Sequence, residues 1–263
     1  MRHAVGASLA RTLGIRKTLI VELQLILNTF ASDVFRKQAD CDYIAARANF
    51  RMHLRQQFLW SAQQAIEKYL KAILLFNGKS ARYPVGKRKE FGHDLDMLLA
   101  EVRTISIFTL DLEPSHEKFL KYLSQQGPNR YLGTTAYNTG EVLRQLDSTV
   151  WQLRRFCQYM PDRGLGSSAR VPGLLEAHVK AALSPHHKEQ PQSFSVFGGE
   201  LESIVKRPSS NPARRALVWA NLYYGSRRRV RVTYRTFSSS EVPPNERNWH
   251  GVDWKFIEQY VKL

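Results

Sequence analysis

The sequence predicts a mainly α-helical protein: an antiparallel up-and-down helical bundle followed by a small basic α+β C-terminal module. Two observations predict the bundle. Apolar residues recur at steps of three and four through residues 33–160, and short polar loops separate the helical segments. The module is predicted because residues 229–237 alternate between apolar and cationic side chains, as a strand does. The predicted units are a helical extension, the bundle, a linker and the basic module, at 1–32, 33–160, 161–193 and 194–263.

Two helices are predicted before the longest one. Residues 8–31 form the first, and Ser32 and Asp33 either end it or cap the second, which spans 33–53. A tight bend near residues 53–55 is then required if the second helix pairs antiparallel with the helix that follows it.

The third helix, residues 55–76, has the most regular pattern in the chain. Apolar residues occupy one face and polar residues another, and no Pro or Gly interrupts the segment. Asn77 and Gly78 then predict a left-handed C-cap. The apolar face consists of Leu59, Ala62, Ala65, Ile66, Tyr69, Leu70, Ile73 and Leu74.

Three further helical patterns complete the predicted bundle. A loop at 77–92, with Gly, Pro and five Lys/Arg, leads to a helix at about 93–104. Another helix begins near Pro114, and a last long helix spans 139–159. Short polar connections between such helices favour antiparallel neighbours.

The pattern changes after residue 160. Residues 161–173 are rich in Gly, Ser, Pro and Arg, which is typical of a linker, and a helix is predicted at 173–183. Asn211 and Pro212 indicate another helix start, with a continuation to residue 224.

The end of the sequence predicts the strand of the basic module. Residues 229–237 place apolar side chains on one face and arginines on the other. In an alternative, residues 216–224 form a partner strand in a hairpin. A helix at 251–263 follows.

The charge is the least ordinary feature of the composition. Lys and Arg number 39 against 23 Asp and Glu, so the net charge is +16 and the pI is near 10.0. Such a field favours polyanionic partners, with nucleic acid first and an acidic membrane surface or an acidic protein after it.

The cysteines and the N-terminal residues indicate the cellular compartment of the protein. Cys41 and Cys157 match neither a disulfide framework nor a paired-cysteine metal pattern, so we expect free thiols in a reducing compartment, the cytoplasm. The basic first 17 residues also fit an organelle transit peptide, and we prefer a leading helix or a loosely attached extension. No segment approaches the roughly 20 apolar residues of a membrane helix, so no membrane partner is expected.

Known catalytic and cofactor motifs do not occur in the sequence. It has no P-loop, no Rossmann glycine pattern, no HExxH, no GxSxG and no paired-cysteine zinc spacing. We therefore expect neither a cofactor nor a bound metal. His186 and His187 form an isolated pair in a polar linker, where we expect them to be solvent-exposed.

Three segments together carry a family resemblance. AQQAIEKYLKAILL at 62–75, GHDLDMLL at 92–99 and the preceding DYIAARANFR at 42–51 resemble the HEPN domain, over about residues 38–158. The resemblance implies an antiparallel helical bundle that is often dimeric. Members of that family serve as nucleotide-binding modules, as RNases in toxin–antitoxin and defence systems, or as non-catalytic partners of nucleotidyltransferases.

The resemblance also implies where catalysis would reside. Catalytic members carry Arg-x(4–6)-His on a late helix, where the His moves a proton at the ribose 2′-hydroxyl and the Arg stabilises phosphate charge. No arginine of the late helices here has a His at that spacing. One Arg-x4-His occurs, Arg88 to His93, but it lies in the loop before the GHDL motif, which disfavours RNase activity.

The polar face of the long helix supplies the predicted ligand-binding residues. Glu67 and Lys71 are one turn apart, as are Gln64 and Lys68, so an intrahelical Glu–Lys pair explains part of the pattern. The functional interpretation is a cleft in which a lysine faces a phosphate and Gln64 contacts a base or ribose. The full predicted set is Gln64, Glu67, Lys68, Lys71, His93, Asp94, Arg130 and Tyr131.

His93 and Asp94 also have a structural interpretation. They start a helix, where an acid in the first turn complements the helix dipole, and His93 donates to a backbone carbonyl. Arg130 and Tyr131, in a loop, approach the same cleft, or the tyrosine plugs the end of the bundle.

A cationic run near the C-terminus predicts a second contact surface. Between residues 203 and 237 there are nine Lys/Arg and no acid, with aromatic residues interleaved. Arginine suits phosphate and base contacts, and uncompensated positive charges favour a counter-charged partner. The predicted nucleic-acid-binding residues are Arg214, Arg215, Arg227, Arg228, Arg229, Arg231 and Arg235.

These observations predict a HEPN-like binding protein without catalysis of its own, engaging RNA or a nucleotide-like ligand, within a toxin–antitoxin or defence system. A metal-independent endoribonuclease of the toxin type is the first alternative, and a dimeric protein–protein interaction module is the second. The partners consistent with the resemblance are a nucleotidyltransferase or an acidic antitoxin, with a second copy of the chain as a homodimer.

Overall fold

The chain is mainly helical, as the sequence predicts. A computed structural model describes residues 23–86, 89–126, 135–139, 142–159, 174–225, 238–242 and 259. Within them the helices are α1 (Lys37–Arg51), α2 (Arg55–Phe76), α3 (Leu95–Val102), α4 (Pro114–Gln126), α5 (Val142–Arg154), α6 (Leu174–Leu183), α7 (Pro185–Glu189), α8 (Glu200–Val205) and α9 (Pro212–Val218), and the strands are β1 (Thr135–Thr139) and β2 (Ser238–Val242).

The helix before α1 does not end at Ser32 and Asp33, contrary to prediction. Residues 23–30 are α-helical and continue through a π-helical segment, Ala31–Arg36, directly into α1. A π-helical segment accommodates an extra residue within a helix without breaking it. The leading helix reaches the end of α2, where the Gln24 Nε2 donates to the carbonyl oxygen of Leu75 at 3.1 Å.

Helices α1 and α2 pack antiparallel across the predicted tight bend. His53 adopts a positive φ of 59° and reverses the chain. Side-chain contacts then pair residues whose numbers rise on α2 as they fall on α1: Asn49 with Ser61, Asp42 with Lys68, and Asp40 with Tyr69. That register establishes the antiparallel pairing.

Helix α2 supplies the centre of the hydrophobic core. Its predicted apolar face is buried, and Ile66, Leu70 and Ile73 have no exposed surface. The predicted C-cap is also confirmed, since Gly78 has a φ of +68° and the two closing bonds of a Schellman motif run from Gly78 N to Leu75 O and from Lys79 N to Leu74 O.

Helices α3, α4 and α5 surround α2. Helix α4 begins at Pro114 as predicted, whereas α3 and α5 are shorter than their patterns suggest. The Asp94 side chain caps α3, accepting a bond from Met97 N at 2.9 Å, so the helix begins at Leu95. Helix α5 occupies the middle of the predicted 139–159 helix. Residues of all three helices, including Leu98, Phe119 and Leu146, are fully buried in the same core as α2.

The C-terminal helices share that core. Leu201 of α8, Leu217 of α9 and Tyr224 belong to the same buried apolar cluster as α1 and α2. The core therefore extends across the boundary predicted at residue 194. Helix α9 begins after Asn211, as predicted, and ends at Val218 rather than at 224. The Asn211 side chain caps it by accepting a bond from Arg214 N.

The predicted α+β character of the C-terminal module is not supported. Described residues of 174–225 are helical or in turns, and the alternative hairpin strand at 216–224 is wrong because α9 occupies its start. Strand β2 pairs antiparallel with β1, which precedes α5, with Tyr137 opposite Ser240. The predicted linker 161–173 and strand 229–237 lie outside the described residues, as does the helix at 251–263 except for residue 259.

A buried ion-pair cluster joins α1, α5 and α8. The Arg154 guanidinium, 2% exposed, donates to both oxygens of Asp40 at 2.8 Å and to Glu202 at 2.6 Å. Asp40 also accepts from the hydroxyl of Tyr69 and from the backbone N–H of Leu201. Burial penalises the charged Glu202 carboxylate, but its bonds to Arg154 outweigh that cost and lower its pKa.

A second buried cluster joins α1 and α5 to α9. Arg47, with no exposed surface, donates to Asp147, to the Ala216 carbonyl oxygen at 3.0 Å and to the Trp219 carbonyl oxygen. The Tyr43 hydroxyl donates to Asp147 at 2.6 Å. Burial raises the pKa of Asp147, although Arg47 opposes that shift.

Within the described residues, no helix combines the length and the apolar content that a membrane crossing demands. Both cysteines are free, as predicted, with Cys41 exposed and Cys157 buried.

Candidate functional site

The polar face of α2 is organised around one buried carboxylate. Glu67 is 5% exposed, and its oxygens accept bonds from Lys71 Nζ at 2.6 Å and from Gln63 Nε2 at 3.2 Å. His93, from the turn before α3, places its Nδ1 2.8 Å from Glu67 Oε2. These four residues, Gln63, Glu67, Lys71 and His93, form what we call the Glu67 cluster.

The chain around His93 is held to α2 by backbone contacts as well. Gln63 Nε2 lies 3.3 Å from the His93 carbonyl oxygen, and Lys71 Nζ lies 3.3 Å from the Gly92 carbonyl oxygen. Gly92 has a positive φ of 54°, which turns the chain toward α3. The turn that carries His93 is therefore attached to α2 at three points.

The contact with Glu67 fixes the orientation of the His93 imidazole. An ionised carboxylate only accepts hydrogen bonds, so the Nδ1 of His93 carries the proton. In the neutral ring, Nε2 then bears the lone pair. The His93 side chain is 60% exposed while that of Glu67 is 7% exposed, so a buried acceptor orients a ring that solvent can reach. The predicted bond from His93 to a backbone carbonyl is replaced by this carboxylate contact.

Lys68 and Gln64 extend the cluster toward α1. Lys68 forms an ion pair with Asp42, and both side chains remain about one-quarter exposed, at 27% and 28%. Gln64 Nε2 donates to Gln63 Oε1 at 2.8 Å, which connects this pair to the Glu67 cluster. The predicted Glu67–Lys71 helical pair is present, and Lys68 pairs with Asp42 across helices while also donating to Gln64 Oε1 at 3.5 Å along α2.

Trp60 provides an aromatic neighbour for the exposed imidazole. It lies two turns before Glu67 on α2, and its ring centroid is 6.4 Å from that of His93, at an interplanar angle of 60°. The Glu67 cluster thus presents hydrogen-bonding groups, a lysine and an aromatic surface side by side, which is the set of contacts that a nucleotide uses.

Six of the predicted ligand-binding residues therefore lie together: Gln64, Glu67, Lys68, Lys71, His93 and Asp94. The carboxylate of Asp94 caps α3 rather than facing a ligand. Arg88, Arg130 and Tyr131 lie outside the described residues. Gln63 and Asp42 were not predicted as site residues. Gln63 lies on the polar face of α2, one helical turn before Glu67, so its position was the signal that could have identified it.

Of the predicted nucleic-acid-binding arginines, the structure describes Arg214 and Arg215. Arg214 Nε donates to the Val205 carbonyl oxygen at 2.9 Å and is half-buried, while Arg215 is exposed. Arg227, Arg228, Arg229, Arg231 and Arg235 lie outside the described residues. Among described residues, no three His, Cys, Asp or Glu side chains converge as a metal-ligand set.

Comparison with known proteins gives one match. Residues 32–146 match the family model described as the HEPN domain. Neither a curated protein nor a solved structure matches the chain. The matched segment runs from the π-helical turn through α4 into α5, and it contains the whole Glu67 cluster.

Proposed function

Because residues 32–146 match the family model of the HEPN domain, we propose that this chain binds RNA or a nucleotide-like ligand at the Glu67 cluster. The observation that carries the proposal is the Glu67–His93 contact, in which a buried carboxylate holds an exposed imidazole. A preorganised polar group loses little conformational freedom when a ligand arrives, so it favours binding.

In the proposed complex each part of the cluster has a role. Lys68 faces a phosphate, exchanging its exposed ion pair with Asp42 for a charge-assisted contact. His93 and Trp60 contact the base, and Gln64 contacts the base or ribose. Lys71 remains on Glu67 and keeps the carboxylate charge balanced.

Titration of the full chain with fluorescent mononucleotides and with short RNA at low salt tests the proposal. We expect Lys68→Gln and His93→Asn to weaken binding several-fold. Lys121→Gln, which neutralises an exposed lysine on α4, serves as the control for lost charge and should leave the affinity unchanged. Absence of binding to both ligands at low salt would contradict the proposal.

The Glu67–His93 contact also favours a second candidate, a metal-independent endoribonuclease. A neutral His93 with its lone pair on the exposed Nε2 accepts the proton of a ribose 2′-hydroxyl. The 2′-oxygen attacks the adjacent phosphorus, the bond to the 5′-oxygen breaks, and water protonates that leaving oxygen. Arg88, five residues before His93, is the arginine that the sequence offers for the phosphate charge.

An RNA cleavage assay in EDTA separates the two candidates. The endoribonuclease requires cleavage that EDTA does not inhibit and that His93→Ala abolishes, with a partial loss in Glu67→Gln. RNA that is bound but remains intact leaves the binding function alone.

The homodimer is likewise a proposal, and an exposed apolar stripe supports it. Leu23, Ile26, Phe30 and Val34 recur at steps of three and four on the leading helix and the π-helical turn, each at least 43% exposed. Sedimentation of the full chain, compared with Ile26→Asp, tests whether this stripe pairs two copies: a monomer in both cases would contradict it. Toxin–antitoxin or defence membership, with a nucleotidyltransferase or acidic antitoxin as partner, stays a prediction.

A further inference from the structure

An exposed tryptophan follows α9, and buried Arg47 holds the backbone at this end of the helix. The side chain of Trp219 is 43% exposed. Its backbone carbonyl accepts a bond from buried Arg47, which also holds the Ala216 carbonyl at 3.0 Å. The next residue, Ala220, has a positive φ of 50°, which is uncommon for a residue with a side chain. The fold thus fixes a large apolar ring where water reaches it.

Two arginines to which the described chain gives no ion-pair partner lie near Trp219: Arg51 against the ring, and Arg215 one helical turn earlier. The Arg51 guanidinium lies 5.0 Å from the Trp219 ring centroid, and its Nη1 is 3.5 Å from the Arg215 carbonyl oxygen. Arg51 and Arg215 are both exposed, and within the described chain neither forms an ion pair. We call Arg51, Arg215 and Trp219 the Trp219 surface.

Three other exposed arginines of the described chain have acidic partners. Arg82 pairs with Glu90 at 2.6 Å, Arg207 pairs with Glu200 at 2.9 Å, and Arg103 pairs with Glu117. The Trp219 surface differs from these sites because its positive charge is uncompensated and lies against an aromatic ring. Uncompensated charge beside an exposed aromatic residue favours a partner that is both anionic and planar.

The Trp219 surface is separate from the Glu67 cluster. Asp42 of α1 contacts Lys68 beside that cluster, and Arg51 lies nine residues further along the same helix. At about 100° per residue, nine residues place Arg51 on the opposite side of α1 from Asp42. A ligand confined to the Glu67 cluster therefore does not reach Trp219.

We propose that the Trp219 surface binds single-stranded nucleic acid, with an unpaired base stacked on the Trp219–Arg51 pair and the adjoining phosphates on Arg51 and Arg215. This inference rests on the proposed RNA-binding function and adds a second contact region for a polymer. Base stacking on an aromatic ring tolerates any sequence, and arginine adds a cation–π contact. An acidic protein would satisfy the charges but would leave the ring without a planar partner.

Fluorescence anisotropy of the full chain with a labelled, unstructured 12-nucleotide RNA tests the inference. Trp219→Leu should weaken binding by roughly fivefold or more, the effect of losing one stacked base. Arg51→Lys keeps the charge but loses the planar guanidinium, so it should also weaken binding. Arg103→Gln, which removes a paired exposed arginine, should stay within about twofold of wild type; circular dichroism verifies that each variant is folded.

Two results would overturn the inference. Equal RNA affinity for wild type and Trp219→Leu would show that no base stacks on Trp219. Wild-type affinity for Arg51→Lys, together with weaker binding by Arg51→Gln, would show that the surface contributes only positive charge, which an acidic protein could use equally well. Mononucleotide affinity distinguishes this inference from the proposed function. Lys68→Gln should lower the mononucleotide affinity and Trp219→Leu should not. Binding at the Glu67 cluster and binding at the Trp219 surface are therefore tested separately.

Discussion

Charged residues in the interior of this protein have specific partners, and the cost of removing such a residue differs sharply between neighbouring positions. Asp40 and Asp42 are two residues apart on α1, yet Asp40 is fully buried against Arg154 while the side chain of Asp42 is 28% exposed beside Lys68. Removing one partner of a buried pair leaves an uncompensated charge, whereas an exposed pair is largely replaced by water.

The substitution Asp40→Asn should therefore destabilise the protein by about 3 kcal/mol, because Arg154 would retain Glu202 but lose its bidentate, fully buried partner, and the Tyr69 hydroxyl would lose a charged acceptor. The matched substitution Asp42→Asn should cost less than about 1 kcal/mol. Urea unfolding of both variants measures the difference. Similar losses of stability in the two would show that Asp40 is not part of a buried charged cluster.

His116 gives the fold a predictable dependence on pH. Its Nε2 lies 2.6 Å from Ser148 Oγ, and burial lowers its pKa from the ordinary 6.5, with Glu113 opposing the shift. The unfolded chain then binds a proton more readily than the folded one as the pH falls through 6.5. Stability is thus lost on acidification, at up to about 1.4 kcal/mol per pH unit for one proton.

Unfolding free energies at several pH values between 5 and 8 test this sign. In His116→Gln the slope of stability against pH should be shallower than in wild type, whatever the absolute stability of the variant. His186→Gln changes an exposed imidazole and should keep the wild-type slope. A wild-type slope in His116→Gln would contradict the assignment.

At the scale of elements, the C-terminal helices complete the bundle. Helix α8 supplies Glu202 and a backbone N–H to the Asp40–Arg154 pair, and α9 supplies the carbonyls that Arg47 holds. Gly199, just before α8, admits this arrangement, because a Cβ there would overlap the Glu202 carboxylate and the Arg154 guanidinium.

A chain ending at residue 193 should therefore lose its cooperative unfolding transition, since Arg47 and Arg154 would lose partners and apolar core would be exposed. A chain ending at residue 225 retains α8 and α9 and should unfold at nearly the urea concentration of the full chain. Circular dichroism during urea titration compares the two. An unchanged midpoint for the shorter chain would mean that the bundle is stable without α8 and α9.

The elements that periodicity predicts are those with a continuous apolar face. Helix α2 matches its predicted bounds of 55–76, because steps of three and four persist over its whole length. The buried charges of Asp40, Arg47 and Arg154 were not predicted, since a charged residue beside apolar ones has the same pattern as a solvated face. Their ion-pair partners lie far away in the sequence, with Asp147 100 residues after Arg47 and Glu202 48 residues after Arg154. The Glu67–Lys71 pair was predictable because it is local, whereas the contact with His93 required the fold.

For the whole molecule, the number of phosphates contacted determines how steeply affinity falls with salt, and a net charge of +16 favours several such contacts. A nucleotide held at the Glu67 cluster through one phosphate should give a log–log slope of affinity against salt near one, whereas RNA that also contacts the basic C-terminal region should give a slope of several units. Titrations at four or more salt concentrations, with a mononucleotide and a 12-nucleotide RNA, measure both slopes. Equal slopes for the two ligands would restrict binding to the cluster.

The π-helical turn at Ala31–Arg36 determines the rotational setting of residues 23–30 about their helix axis. Deleting one residue from it would restore ordinary α-helical geometry and turn the preceding segment by about 100°. Gln24 would leave the α2 carbonyl that it now caps, and the stripe of Leu23, Ile26 and Phe30 would be directed elsewhere. One surplus residue therefore selects which side of the leading helix is offered to a partner.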